Sequence, residues 1–349
     1  MSKNTGNQPN PSKIMQIGMG FWSTKTLLAA VKFRLFTLLA GGAQSAANIK
    51  EKLGLKTTER HVFDWLDALY SMGFLQREGI LDKASYSNAP DTDLFLDTNK
   101  PNYIGGILEM GNNRLYRFWG DLEEGLLTGQ PQNEGKHSGK FMEFTDVLYQ
   151  DPVKVQEFAD AMSAIQMANF IELVNRFDFN KYKSLADIGG SDGILSIQVC
   201  LHHPGIHCIT FDLPAVEPLA KKRVAQFNLS DRIEVLAGDF LKDELPSAEV
   251  IVMGNILHGM NEESKQDMVK KIYHALPEKG VFIAIENVID NERKVNTFGL
   301  LMSLNMLIEN GDAFDYTFTD FQRWSDGAGF KQTELLPLAG PTSAAIAYK

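Results

Sequence analysis

The string LADIGGSDG, residues 185–193, sets a carboxylate, Asp187, two residues ahead of a glycine turn made by Gly189, Gly190 and Gly193. A buried strand running into such a turn offers backbone N–H groups to a phosphate or a nucleoside. The dinucleotide fingerprint runs G-x-G-x-x-G, and here Ser191 stands where its second glycine would be. The acid decides more than the glycines do. A pyrophosphate dianion beside Asp187 would be repelled, whereas a ligand carrying a sulfonium and an ammonium group would be drawn in. At about 4 Å and an effective dielectric of roughly 20 the difference is several kcal/mol. Asp187 therefore points to S-adenosyl-L-methionine as the cofactor.

Two more acids fall where that ligand needs acceptors. Asp212 ends the next strand, ITFD, and is placed to accept the two ribose hydroxyls. Asp239 and Phe240, in AGDF, end the third strand, with an acid for the adenine amino group and a ring to pack on the base. A methyl group on a sulfonium moves by in-line displacement, and a phenol or enol of pKa about 10 must shed its proton to attack it. Histidine is the side chain whose ordinary pKa suits that proton. Of the seven histidines, His258 in NILHGMNEE follows the strand EVIVMGN, at the edge of the sheet where ligands gather. His202, His203 and His207 cluster with Cys200 and Cys208 on a connection leading back to the strand N-termini. His61, His137 and His274 read as surface positions. No metal is expected.

An alternating run of strands and helices from residue 183 must position these groups. SLADI, IHCITF, RIEVLAG, EVIVMGN and VFIAIENVI read as strands, and GILSIQVCLHH, VEPLAKKRVAQF and ESKQDMVKKIYHAL as helices. Such alternation means a doubly wound parallel sheet with ligands at the strand C-termini. After a helix at 319–328 come KQTELLPL and SAAIAYK, separated only by AGPT. Strands joined so closely are antiparallel, so the sheet closes with a hairpin.

The first third of the chain reads differently. Residues 22–40 form a helix with Leu27, Leu28, Val31, Leu35 and Leu38 on one face, interrupted by Lys32 and Arg34 and too charged to span a bilayer. AQSAANIKEKLGL, with Ser45 as cap and Gly54 as stop, TERHVFDWLDALYSMG, and a hairpin over GFLQREGILDKASYSNAP complete a winged-helix pattern. Between residues 43 and 90 six lysines and arginines meet six acids, so no basic face is offered to DNA. The net charge of −10 likewise argues against a polyanionic partner or an anionic membrane surface. Residues 102–180 are helical and rich in aromatics and methionine, and GLLTGQPQNEGKHSGK (125–140) reads as a flexible loop. Two cysteines and a polar N-terminus without an apolar signal core suit a reducing cytoplasm.

With FDLP, GDF, NILHGMNEE, IENVI and the late AGF of residues 328–330, the glycine turn makes a highly specific set. Over nearly its whole length the chain resembles the S-adenosylmethionine-dependent O-methyltransferases of the plant caffeate, bacterial polyketide and acetylserotonin type. The resemblance implies a winged-helix dimerisation domain over 1–100, a helical linker and substrate-binding region over 101–180, and a cofactor-binding catalytic domain over 181–349. The implied fold is α/β: a Rossmann-like class I methyltransferase sheet with a terminal antiparallel hairpin, preceded by an all-α winged-helix domain. Gly189, Asp212, Leu213, Asp239 and Phe240 would hold the cofactor beside Asp187, with Gly238 and Asn255. His258 matches the family's catalytic base and Glu286, ending FIAIE, its first orienting glutamate. The second orienting acid lies in a Gly-Lys-Glu-Arg-Thr string; running back from AGF to Thr317 aligns that string with AFDYT, which puts Asp315 in the acid's place. Trp119, Phe141, Phe144, Met162, Met167, Met302 and Met306 suggest a flat apolar acceptor, most simply a hydroxylated aromatic.

Three positions depart from the family's pattern: Asp315 is one methylene shorter than glutamate, Gly259 stands where aspartate is usual, and Ser191 replaces a turn glycine. These departures leave open a relative that binds the same cofactor yet methylates carbon or hydroxylates. The rival from another class is a DNA-binding regulator with a methyltransferase-like sensor domain. The expected assembly is a homodimer whose buried face includes the helix from Leu27 to Leu39, with Phe21 and Trp22 near the partner's pocket.

Overall fold

The computed structural model describes residues 9–100, 102–138, 149 and 151–349. It divides the chain into two units, Met1–Asn113 and Arg114–Lys349, so the segment 101–180 is shared between them. In the first unit α1 (Ser12–Gly18) buries none of its residues, and α2 (Gly20–Lys32) and α3 (Leu35–Leu39) follow. The single helix expected over 22–40 is broken at Arg34, which takes a left-handed φ of 57°. Its guanidinium donates to the Tyr103 hydroxyl at 2.9 Å and to Glu109 at 2.6 Å, contacts that offset the strain. α4 (Ala46–Lys52) and α5 (Glu59–Ser71) start on hydroxyl caps, Ser45 accepting from the Asn48 N–H and Thr58 from that of His61. Three short antiparallel strands, β1 (Gln44–Ser45), β2 (Leu75–Glu78) and β3 (Ser85–Asn88), pair in the order β1-β3-β2. This is the winged helix that the sequence pattern implies. Val31, Leu35, Phe36, Leu39, Ile49, Leu66 and Tyr86 fill its core. The apolar stripe expected at a dimer face is therefore largely taken up inside the unit.

The second unit carries a seven-stranded sheet in the order β6-β5-β4-β7-β8-β10-β9. Its members are β4 (Ser184–Ile188), β5 (His207–Asp212), β6 (Ile233–Ala237), β7 (Val250–Gly254), β8 (Val281–Glu286), β9 (Gln332–Pro337) and β10 (Ser343–Tyr348). β4 to β8 run parallel; β10 is antiparallel to both β8 and β9, which is the closing hairpin. The helices are α6 (Pro152–Arg176), α7 (Ile194–His202), α8 (Glu217–Gln226), α9 (Glu262–Ala275), α10 (Thr297–Asn310) and α11 (Phe318–Ala328), besides shorter turns. Successive strand residues point to opposite faces. Val250, Val252, Ile283 and Ile285 pack with α6 and α7; Ile251, Met253, Phe282 and Ala284 pack with α9 and α11. The chain leaves β4 toward β5 on one side and returns at β7 on the other, so the C-terminal ends of β4 and β7 flank the topological switch point where a ligand lies.

Two elements differ from expectation. α10, started by the Asn296 side chain accepting from the Gly299 N–H, has no counterpart in the sequence reading. The loop expected over 125–140 is partly helical and partly pinned. The Gln132 N–H donates to the Ile308 carbonyl and the Asn133 side-chain amide to that of Glu309, each at 2.7 Å. No helix among the described residues is long and apolar enough to cross a membrane.

Candidate active site

β4 ends in the glycine turn, and the backbone there is closed on from two sides. Gly189 has a φ of 70°, and a Cβ on it would lie 2.6 Å from Ile256 Cδ1, while one on Gly190 would lie 2.8 Å from the Asp187 carboxyl carbon. Only glycine fits, and Asp187 lies beneath the turn, 3% exposed, its carboxylate 3.5 Å from the Ser196 hydroxyl. The Ser191 N–H donates to one oxygen of Asp212 at 2.8 Å and the Leu213 N–H to the other at 2.7 Å. Each oxygen keeps capacity for a further donor. Burial, then the charges of Asp212 and Asp192, push the Asp187 pKa up to about 7; burial also raises Asp212. Asp192 has its own cation, Arg223 at 3.1 Å, and the Ser163 hydroxyl at 2.8 Å. Among the described residues Asp187 and Asp212 have no salt bridge to a basic side chain.

The neighbouring strand ends complete this side. A Cβ on Gly238 would lie 2.4 Å from the Phe211 ring, so its glycine is required by packing. Asp239 accepts from the Leu241 N–H at 2.9 Å and pairs with Lys242 at 2.7 Å, which lowers its pKa. The Phe240 ring edge lies 3.8 Å from where a Gly189 Cβ would sit. Asn255 holds a left-handed φ of 54° at the end of β7 and donates its N–H to the Ile285 carbonyl at 3.0 Å.

His258 sits on a single 3₁₀ turn, Leu257–Gly259, directly after β7. Its Nδ1 is 3.8 Å from Glu286 Oε2, at the end of β8, and 3.6 Å from Asp315 Oδ1, in the segment between α10 and α11. Both carboxylates are buried. Glu286 Oε1 accepts from the backbone N–H groups of Ile256 and His258 at 3.2 and 3.3 Å, which leaves Oε2 turned to the imidazole. Neither approach is yet a hydrogen bond, and such contacts commonly tighten once a reactant is bound. Burial alone lowers a histidine pKa; the charge of Glu286, then Asp315, outweighs it and pushes His258 up to about 9. Burial raises Glu286 to about 7. The three residues also form a cluster with metal-ligand chemistry.

Two family models match the chain. One, for the O-methyltransferase domain, covers residues 119–331; the other, for the O-methyltransferase dimerisation domain, covers residues 15–98. The chain belongs to the O-methyltransferase family. This methyltransferase is 33% identical, over 97% of both chains, to the tetracenomycin polyketide synthesis 8-O-methyl transferase of Streptomyces glaucescens. It is 29% identical to an N,N-dimethyltransferase of Streptomyces rimosus, over 91% of this chain and 90% of that one. Its fold matches the crystal structure of human N-acetylserotonin methyltransferase in complex with S-adenosylmethionine with a TM-score of 0.88, at 24% identity over 100% and 99% of the two chains. The enzyme is S-adenosylmethionine-dependent. Its residues fit that cofactor: the buried Asp187 and the half-buried Asp212, neither salt-bridged to a basic side chain among the described residues, stand at a turn where Gly189 takes a left-handed φ of 70°.

The methyltransferase places His258, Glu286 and Asp315 in one cluster, with the shorter Asp315 stopping 3.6 Å from the imidazole nitrogen. Of the residues expected to line the acceptor, Trp119 donates its indole N–H to Asn305 at 2.9 Å, Met306 is buried, and Met162 and Met302 are half-buried. Met167 packs against the core on the α6 face instead. Phe141 and Phe144 lie outside the described residues. Several charged and polar groups escape sequence reasoning. They include Asp192 with Ser163 and Arg223, the pair of Arg114 with Glu309 at 3.0 Å, Asn305, and the buried Lys265. Arg114 and Glu309 carry no motif, and their pairing crosses most of the unit's length.

Proposed function

We propose that the enzyme methylates a hydroxyl on a flat, apolar acceptor, an aromatic ring or a polyketide-like one, with His258 as general base. The observation that carries this reading is one imidazole nitrogen, Nδ1, facing two buried carboxylates at the C-terminal edge of β7 and β8. Glu286 and Asp315 hold the ring and favour the tautomer with its proton on Nδ1, so that Nε2 is the basic nitrogen. Asp187, Gly189, Asp212, Leu213, Gly238, Asp239, Phe240 and Asn255 would hold the cofactor, with Asp212 the acceptor for the ribose diol. The bound cofactor supplies an electrophilic methyl group on a sulfonium. Trp119, Met162, Met302 and Met306, with Phe141 and Phe144, would line the acceptor. The unit matched to the dimerisation domain would join two copies.

A base must be neutral to accept a proton, and His258 is pushed up to about 9 by its carboxylates. The rate should therefore rise with pH, with a midpoint well above the ordinary histidine value of 6.5. A mass-spectrometric screen of hydroxylated aromatics with wild type and His258→Ala tests the assignment. Wild-type products heavier by one methyl group, reduced 10²–10⁴-fold or so in the variant, with S-adenosylhomocysteine binding unchanged by calorimetry, are the expected result. A methyl gain that survives at the wild-type rate sinks the base role. A gain of one oxygen turns the assignment to a hydroxylating relative. The relative named an N,N-dimethyltransferase favours a second reading, an amine acceptor, so aromatic amines belong in the same screen.

A further inference from the structure

Three acids meet around the glycine turn of the second unit: Asp187 at the end of β4, Asp192 within the turn and Asp212 at the end of β5. Among the described residues only Asp192 has a cation. Arg223 of α8 lies 3.1 Å from it and 2.5 Å from Asp160 of α6, so that guanidinium is already shared between two carboxylates. Asp187, 3% exposed, has Thr210 on β5 and Val252 on β7 as register partners. Its carboxylate lies 3.5 Å from the Ser196 hydroxyl of α7, which accepts from the Thr210 hydroxyl at 2.9 Å. The other titratable groups nearby bring no positive charge. Cys208 on β5 is held neutral by its contact with Cys200 and by burial, and the Tyr149 hydroxyl by burial and the charge of Asp212. A carboxylate sealed from water, beside two other acids and without a cation of its own, holds a proton until a positive charge is brought to it.

We propose that Asp187 reads the charge of the cofactor by exchanging a proton: it releases one when the sulfonium form binds and regains one when the neutral thioether is left behind. The proposal rests on the cofactor lying at Asp187 and Asp212. Burial, then the charges of Asp212 and Asp192, hold the Asp187 pKa at about 7 against the hydrogen bonds of Ser196, so the exchange falls near neutral pH. Both forms of the cofactor carry an ammonium group, and only the methylated one adds a sulfonium, so the two should displace the proton to different extents. Charge balances over a turnover. The acceptor hydroxyl loses one proton, the sulfonium loses its single positive charge as its methyl group departs, and Asp187 gains one proton from solvent. That proton returns to solvent when the next sulfonium binds. By linkage, affinity for S-adenosylmethionine falls as pH drops below about 7, by up to about tenfold per pH unit, and affinity for the spent cofactor falls less.

The test needs no methyl acceptor. The full-length protein is titrated by calorimetry with S-adenosylmethionine and, separately, with S-adenosylhomocysteine, in two buffers of different ionisation enthalpy, whose difference counts the protons exchanged. A pH of about 6.3 lies below the ordinary α-amino value of about 7.7, so both ligands enter as ammonium ions. Wild type should release about 0.8 proton with S-adenosylmethionine and less than about half of that with S-adenosylhomocysteine. Asp187→Asn should release close to none with either. Wild-type affinity for S-adenosylmethionine should also rise about fivefold from pH 6 to pH 7. Equal counts for the two ligands, or no release in wild type, overturn the proposal, and so does a release that survives in Asp187→Asn. The wild-type counts and the pH series decide alone if the variant binds too weakly to titrate. An Asp187→Asn protein that binds S-adenosylmethionine as tightly as wild type at pH 8 sinks the placement of the cofactor separately, whatever the proton counts are.

Discussion

Asp187 is the residue whose placement yields the sharpest consequence. Its pKa of about 7 lies above the ordinary 3.8, so the folded protein holds a proton there more tightly than the unfolded chain does. Its contribution to stability is full below about pH 4 and is lost as pH rises through about 7, on the order of 2–4 kcal/mol at most. His258, raised from 6.5 to about 9, acts in the same sense: its contribution is present below 6.5 and lost as pH rises through about 9. Asp187→Asn removes the first effect. The cofactor-free variant should melt higher than wild type near pH 8 but not near pH 4, while binding S-adenosylmethionine more weakly. Scanning fluorimetry at both pH values, with calorimetry for the cofactor, reads this out; a variant less stable at both pH values contradicts it. Asp187 was legible because an acid two residues before a glycine turn is a local pattern. Lys265 was not, since a lysine in ESKQDMVKK reads as a solvated helix face, and only the fold lays Phe314 across it.

Elements were legible where their period was clean and illegible where it was not. β7 and β8 read as strands because parallel strands buried on both faces are continuous apolar runs. α10 was missed because TFGLLMSLNMLIEN is apolar on nearly every side, without the stripe that marks a surface helix. The break at Arg34 was missed because its partners, Tyr103 and Glu109, lie some seventy residues on. Ser191 shows the opposite case: its departure from a turn glycine is legible in the sequence, but its strain arises only in the folded turn. It holds a φ of 50° while its N–H serves Asp212. A left-handed residue with a side chain costs roughly 1–2 kcal/mol, and glycine returns part of that gain through its looser unfolded state. Ser191→Gly should therefore stabilise the protein by about 0.5–1 kcal/mol, a rise of roughly 2–4 °C per kcal/mol in Tm, with cofactor affinity unchanged. A lower Tm would mean that the serine side chain makes a contact the backbone argument omits.

At the scale of the whole molecule, the surface of the first unit and the family model covering residues 15–98 point to a second copy as the partner. α1 contributes nothing to its own unit's core, and Ile14, Met15 and Ile17 stand exposed along it. Phe21 and Trp22, at the start of α2, are 51% and 63% exposed and pack edge to face on each other, with ring centroids 5.9 Å apart. Contiguous apolar exposure of this kind marks an interaction surface. The sequence reading puts the helix from Leu27 to Leu39 in the dimer's buried face, with Phe21 and Trp22 near the partner's pocket; Val31, Leu35 and Leu39 are already in the core of the first unit, which leaves α1 and the first turn of α2 as the exposed apolar surface to test. Phe21→Ser with Trp22→Ser tests that placement. Buried aromatic anchors at an interface are worth about 2–4 kcal/mol when truncated, so the dissociation constant should rise on the order of 10²-fold. Light scattering behind a sizing column should give wild type at twice its 38.9 kDa and the double variant shifting toward one copy on dilution. Because neither side chain belongs to the buried core, the variant's thermal transition should stay cooperative. A wild type that runs as a monomer rejects the assembly, and a variant that stays dimeric rejects this face.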